Sequence, residues 1–184
     1  MNREEAIKIL HEYIHEKSLI FHSLETEAVM RKLAKHLSED EDVWGVVGLL
    51  HDIDYEQTKD HPEKHGIVAT KEILKDKLPE HALYAIAAHS YENTGIQPKS
   101  KLDFALRCSE TVTGLIRANA LVRPTKMQGM KVKSVKKKMK DKSFAANVSR
   151  ERIKECEKIG LDLNEFLQIA ISAISEIAEE VELA

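Results

Sequence analysis

The chain carries His51 and Asp52 side by side at the end of an apolar run, Val43-Trp44-Gly45-Val46-Val47-Gly48-Leu49-Leu50. An imidazole and a carboxylate held together by a rigid buried helix suit divalent metals of borderline or harder character, such as Zn, Mn, Fe and Mg. A bare doublet is a weak signal in a chain with nine histidines, and a metal site needs ligands from other elements. His22, His65, His89 and Glu110 are the candidates, each on a helical segment. Glu110 lies among Ala105, Leu106, Cys108, Val112, Leu115 and Ile116, and a carboxylate in so apolar a helix is costly to bury unless paired or bound to a cation. The spacing His61-Pro62-Glu63-Lys64-His65 fails as an HExxH zinc pair, because no Glu follows the first His and Pro62 puts His61 at a helix mouth. His11, His15, His36 and His81 stand among charged neighbours and read as surface residues.

The elements that must position these groups are helical. Asn2 and Glu5 form a capping-box pattern ahead of Ile7, Leu10 and Ile14. A second helix runs over about 19–37 with His22 in its first turns. The third, started by the acids 39–42, is hydrophobic nearly all round and should be buried. Pro62 opens a fourth at about 62–77, and Pro79 a fifth at about 79–90. A sixth spans about 100–122 before Pro124, the lysine-rich stretch after it is helical too, and Ser149 caps a helix to Lys158 that Gly160 ends. In the last helix, begun by Asp162 or Asn164, Leu163, Leu167, Ala170, Ile174, Ile177 and Val181 form a seam that packs on the same chain, with a homodimer seam as the alternative. No segment alternates with period two and no repeat of 20–50 residues occurs. The expectation is one all-α domain over 1–184.

Hydrophobic residues make up 42% and charged residues 32%, with 7 Gly and 4 Pro, which excludes collagen-like, low-complexity and disulfide-scaffold classes. No apolar run approaches the roughly 20 residues that cross a bilayer, and acids occupy the N-terminal stretch, so no membrane association and a cytoplasmic location are expected. Cys108 and Cys156 have no CxxC spacing and read as reduced, half-buried fillers. Residues 121–142 carry nine Lys and Arg against Asp141 alone, a net +8 that leaves −11 for the rest of a chain of net −3. Such a block attracts phosphates, nucleic acid or an acidic surface, or is simply a solvated face.

The order His, His-Asp and a late acid, all on helices, resembles the HD-domain superfamily of metal-dependent phosphohydrolases. Phe21-His22-Ser23-Leu24, Gly48-Leu49-Leu50-His51-Asp52-Ile53-Asp54-Tyr55-Glu56, Pro62-Glu63-Lys64-His65-Gly66, Ala85-Ile86-Ala87-Ala88-His89 and Thr113-Gly114-Leu115-Ile116 are similar to small HD hydrolases of the HDIG type. The resemblance extends through Arg123-Pro124 and Val132–Lys138. It implies a helical bundle with an HD core at about 18–122, on which the basic segment and C-terminal helices (123–184) pack.

By position, the resemblance makes His22, His51 and Asp52 metal ligands and puts Glu110 where the family has its final aspartate. His65 and His89 match histidines that in some members hold a second metal or contact phosphate. The implied cofactor is one or two divalent ions (Mn, Fe, Zn, Ni, Co or Mg), and the implied partner is a small phosphorylated substrate, most plausibly a nucleotide. Asp52, Asp54, His65 and His89 are the catalytic candidates, with Asp54 either handling a water or capping the next loop. Two departures stand out: Glu110 is one methylene longer than an aspartate, and Tyr55 replaces a lysine common in relatives, so the fixed positive charge must come from elsewhere. The basic block is the nearest sequence candidate for it. The alternatives are an HD-type diiron oxygenase, and an inactive metal-stabilised binding module whose lysines at 123–142 bind nucleic acid or an acidic partner.

Overall fold

A computed structural model describes all 184 residues. It contains ten α-helices and no strand: α1 (Arg3–Tyr13), α2 (Lys17–Leu37), α3 (Glu41–Leu50), α4 (Tyr55–Thr58), α5 (Glu80–His89), α6 (Tyr91–Thr94), α7 (Lys101–Leu121), α8 (Val132–Lys140), α9 (Arg150–Lys154) and α10 (Leu163–Glu176). Asn2 and Glu5 close the capping box of α1 as their spacing requires. Ser38, left-handed at φ 56°, turns the chain from α2, and Asp40 starts α3 by accepting the N–H groups of Asp42 and Val43, both at 3.0 Å.

All of Trp44–Leu50 is buried, in keeping with the all-round apolar character of that helix. Gly48 lets α3 lie directly on α2: a Cβ there would stand 3.0 Å from the Thr26 carbonyl oxygen and 3.1 Å from Glu27 Cα. The long α7 packs against α2, α5 and α9. Buried apolar side chains from Ala6 to Leu183 form one contiguous cluster, so the segment after residue 123 shares the core of the segment before it.

Three expectations change. Residues 62–77 are not one regular helix but a 3₁₀ turn at Pro62–Lys64 and a π-helical turn at Ala69–Ile73. The cause is Asp54, whose Oδ2 accepts the N–H groups of both Gly66 and Ala69 at 2.8 Å and holds the chain off the i to i+4 ladder. The seam predicted through Val181 stays helical only to Glu176; Ile177 caps it, and Val181 and Leu183 are buried in a tail that folds back, with Met127 N–H donating to the Leu183 carbonyl at 3.1 Å. Cys108 and Cys156 are fully rather than half buried. Burial pushes the Cys156 thiol up to about 11 and the Cys108 thiol up as well, which makes both unreactive.

Two arginines tie down what the apolar contacts leave loose. The guanidinium of Arg150 donates to the carbonyls of Lys138, Met139, Asp141, Phe144, Ala145 and Val148, and so fastens the irregular stretch between α8 and α9. Arg117 joins α7 to the fully buried Glu25 of α2 and to the Val181 carbonyl. Glu25 Oε2 has no hydrogen-bond partner. Burial therefore pushes the Glu25 carboxyl from the usual 4.5 up to about 7, although the Arg117 charge pulls the other way.

The sign of the pH effect follows. A carboxyl raised in the folded state contributes stability that is complete below about 4.5 and lost as pH rises through about 7. Glu25→Gln is expected to remove on the order of 3 kcal/mol of the fall in unfolding free energy between those values. Urea unfolding of both proteins at pH 4.5, 6 and 8 checks this; parallel stability profiles would exclude Glu25 as the source.

Candidate metal centre

The C-terminus of α3 delivers His51 and Asp52 to the middle of the molecule, where His22 comes from α2, His65 from the turn after Pro62–Lys64, and His89 from the last residue of α5. Each imidazole has its Nδ1 taken. His51 Nδ1 donates to the Gly48 carbonyl at 2.8 Å, His89 Nδ1 to the Ile86 carbonyl at 2.5 Å, and His65 Nδ1 to Asp54 Oδ1 at 2.9 Å. His22 Nδ1 donates to Thr113 Oγ1 at 3.1 Å, and that hydroxyl in turn donates to the Glu110 carbonyl at 2.7 Å. These partners occupy Nδ1 and leave Nε2 of each imidazole as the potential ligand atom.

The four Nε2 atoms converge on Asp52. Its Oδ1 stands 3.4 Å from His51 Nε2, 3.1 Å from His65 Nε2 and 3.3 Å from His89 Nε2, and its Oδ2 stands 3.6 Å from His22 Nε2. Two Nε2 pairs face each other directly, His22 and His51 at 3.2 Å and His65 and His89 at 3.0 Å. Lone pairs at such separations repel unless a cation or a proton lies among them. The residues thus form two triads, His22, His51, Asp52 and Asp52, His65, His89, with all potential ligand atoms of each within 4.8 Å of one another. Both fit a divalent ion: nitrogen and oxygen donors, partnered Nδ1 atoms and a shared carboxylate.

The electrostatics answer the same demand. Burial disfavours a charged His65, yet its bonds to Asp52 and Asp54 outweigh this and push it up to about 10. Burial would likewise raise Asp52, but His51, His65 and His89 hold it well below the usual carboxylate range. Burial pushes His22 and His89 down, whereas Asp52 draws His51 up against its burial.

Asp52, His65 and His89 open on a cavity of about 370 Å³ that Tyr55, Glu110 and Arg152 also line. Asp54 does not line it. That residue is fully buried, and its carboxylate is engaged by His65, Gly66 and Ala69, so it orients His65 and shapes the turn. Gly66 enables this approach: at φ +83° it occupies the left-handed region, and a Cβ would meet the Ile86 carbonyl oxygen at 2.9 Å. Glu110 is brought to the cavity but lies outside both triads; its Oε1 meets Arg152 Nη2 at 2.9 Å and accepts from Thr111 Oγ1 at 2.8 Å.

Arg152 corrects the expected source of positive charge. No residue of the basic block lines this cavity. Arg152, from the first turns of α9, also donates to the His89 carbonyl, and its buried Nε makes no hydrogen bond but stands 3.8 Å from Glu92 Oε1. Sequence reasoning missed it and Thr113. One signal was there: Arg150 and Arg152 sit at a helix start, where the macrodipole favours acids, so both need another reason to be there. Beneath them Arg107, the largest fully buried side chain, forks to Glu92 (2.6 Å) and Glu155 (2.7 Å) and donates to the His89 carbonyl at 2.9 Å. Its hydrogen bond holds Glu92 down at about 2 against partial burial.

This arrangement coincides with a family assignment. The family model of the HD domain matches residues 19–128, more than half of the chain. The chain belongs to the HD-domain family. His22, His51, Asp52, His65, His89 and Glu110 all fall within the matched stretch, whereas Arg152 falls outside it. No curated protein and no solved structure matches the chain significantly. HD domains commonly bind divalent metal and act as hydrolases, and the two His/Asp triads of this chain suit such an ion. No helix is long and apolar enough to cross a membrane.

Proposed function

We propose that the protein is a metal-dependent phosphohydrolase acting on a small phosphate ester, a nucleotide being the foremost candidate. The observation that carries this reading is the convergence of four Nε2 atoms on Asp52 beside a cavity that also presents Arg152. His22, His51 and Asp52 would hold one ion, and Asp52, His65 and His89 a second. Bound there, the metal would supply Lewis acidity toward a phosphoryl oxygen and acidify a water nucleophile.

The protein's own groups do the rest. Gly48, Ile86, Thr113 and Asp54 keep the four imidazoles oriented. Arg152, the guanidinium that lines this cavity, would receive phosphoryl oxygens, in part with the N–H groups it now shares with Glu110 and the His89 carbonyl. Glu110 holds that guanidinium at the rim, and the ring of Tyr55 borders the opening. A planar guanidinium restores the fixed charge that Tyr55 does not provide.

The test is elemental analysis of protein purified without chelator or histidine tag, followed by assay on p-nitrophenyl phosphate, bis-p-nitrophenyl phosphate and a nucleotide panel under Mn, Fe, Co, Ni, Zn and Mg. Phosphate release that chelator abolishes and one metal restores supports the reading; bound metal with no release from any ester argues for the inactive binding module. The shared carboxylate equally suits a diiron pair, and oxygen-dependent turnover with an iron-linked absorption band would favour an oxygenase instead. Arg152→Met is expected to lower kcat/KM for phosphate esters about a hundredfold with metal content unchanged, and Arg152→Lys is expected not to rescue it. Steady-state kinetics with metal analysis checks both, and wild-type kcat/KM in Arg152→Met would remove Arg152 from substrate binding.

A further inference from the structure

Residues 121–142 contain Arg123 and eight lysines, and none of these nine has a carboxylate within 4 Å. Outside the block, five of the thirteen lysines pair with an acid: Lys8, Lys17, Lys32, Lys101 and Lys154. Nor do the unpaired cations scatter. Lys133, Lys136, Lys137 and Lys140 follow the i, i+3, i+4, i+7 spacing of one helix face, while Val132, Val135 and Met139 on the other side of α8 pack into the core. Together with Val132 and Asn164 those four lysines line a groove of about 480 Å³ that contains no acidic residue. A second hollow of about 490 Å³ shares Lys136 and Lys140 and extends the track to Lys142, with Lys154 and its partner Glu151 also on its lining.

We propose that this face of α8 binds nucleic acid through its phosphodiester backbone. Charges repeated over about 10 Å of helix match a polymer with one negative charge every few ångströms, not a single phosphate. Lysine is depleted from the cores of protein–protein interfaces, whereas nucleic-acid interfaces are strongly positive. A membrane-docking helix must leave its apolar face free, and that of α8 is turned into the core. The groove offers no exposed aromatic ring on which a base could stack, so binding is independent of sequence. This reading rests on surface charge alone and does not depend on hydrolysis at the metal centre.

The experiment is fluorescence anisotropy of a labelled single-stranded RNA of about 20 nucleotides with the full chain in EDTA, which separates binding from turnover. Four lysine–phosphate contacts give a log K against log salt slope of about −3, so affinity falls about fiftyfold between roughly 50 and 200 mM salt. Lys133→Glu, Lys136→Glu, Lys137→Glu and Lys140→Glu combined are expected to abolish binding with an unchanged circular dichroism spectrum. A control of equal charge change, Lys8→Glu, Lys35→Glu, Lys71→Glu and Lys75→Glu, alters exposed lysines outside the block and is expected to retain most of the affinity. Absence of wild-type binding at low salt overturns the proposal, and so does equal loss in both variants, which would reduce the effect to net charge. Tighter binding to phosphatidylserine vesicles or polyglutamate than to RNA overturns it in favour of a lipid or an acidic protein.

Discussion

Asp52→Ala is expected to leave the protein without bound metal at either triad, because this carboxylate alone belongs to both. His22→Ala and His89→Ala are each expected to lose one ion of two, since each imidazole serves a single triad. If the proposed hydrolysis is correct, turnover in Asp52→Ala falls by about 10³-fold or more, the rate equivalent of several kcal/mol of lost Lewis acidity. Elemental analysis of the four proteins, with phosphate release measured in parallel, tests stoichiometry and chemistry separately. Full metal content in Asp52→Ala would refute the shared-ligand arrangement, even if turnover were lost. Thermal unfolding of the metal-free forms guards against a folding artefact. Asp52→Asn is a useful companion, because an amide N–H can donate to one of the converging Nε2 atoms and so keep the apo site folded.

The second large effect concerns a residue that touches no ligand atom. Arg107→Met is expected to destabilise the protein by about 3 kcal/mol, the usual cost of removing one member of a buried ionic cluster, and to lower Tm by roughly 6–12 °C. Much of the loss comes from Glu155, the more buried of the two carboxylates left behind, since Glu92 is about half exposed. Adding Glu92→Gln and Glu155→Gln to Arg107→Met is therefore expected to recover part of the stability, which a cavity at position 107 alone would not allow. Differential scanning calorimetry of the single and triple variants decides between the two.

The helices that carry His22, His51 and His89 were legible because each has a strong local signature: a stripe, an all-round apolar run, or a proline start. The all-α class followed from the same signals. The segment 62–77 was not legible, since its helical pattern is overridden by a contact from a residue ahead of it in sequence, the Asp54 carboxylate on two backbone N–H groups. The same override hid the part Asp54 plays, because nothing in the string His51-Asp52-Ile53-Asp54 says that the second acid is sealed behind the first. Buried polar pairings were equally invisible: Glu25 with Arg117 spans 92 residues and Arg107 with Glu155 spans 48. Charge segregation was plain in the composition, yet the sequence could not say that the cation at the cavity would be a lone arginine beyond the lysine block.

That arginine has a consequence for how the protein can change. All seven histidine and acid candidates lie between residues 22 and 110, and Arg152 enters the cavity from a helix beyond the stretch that the family model matches. If the proposed hydrolysis is correct, substitutions at Arg152 would alter which anion the opening accepts while the ligand residues stay as they are. It also sets a practical boundary, since a cut at residue 128 would remove Arg152 together with the core side chains from Met130 to Leu183.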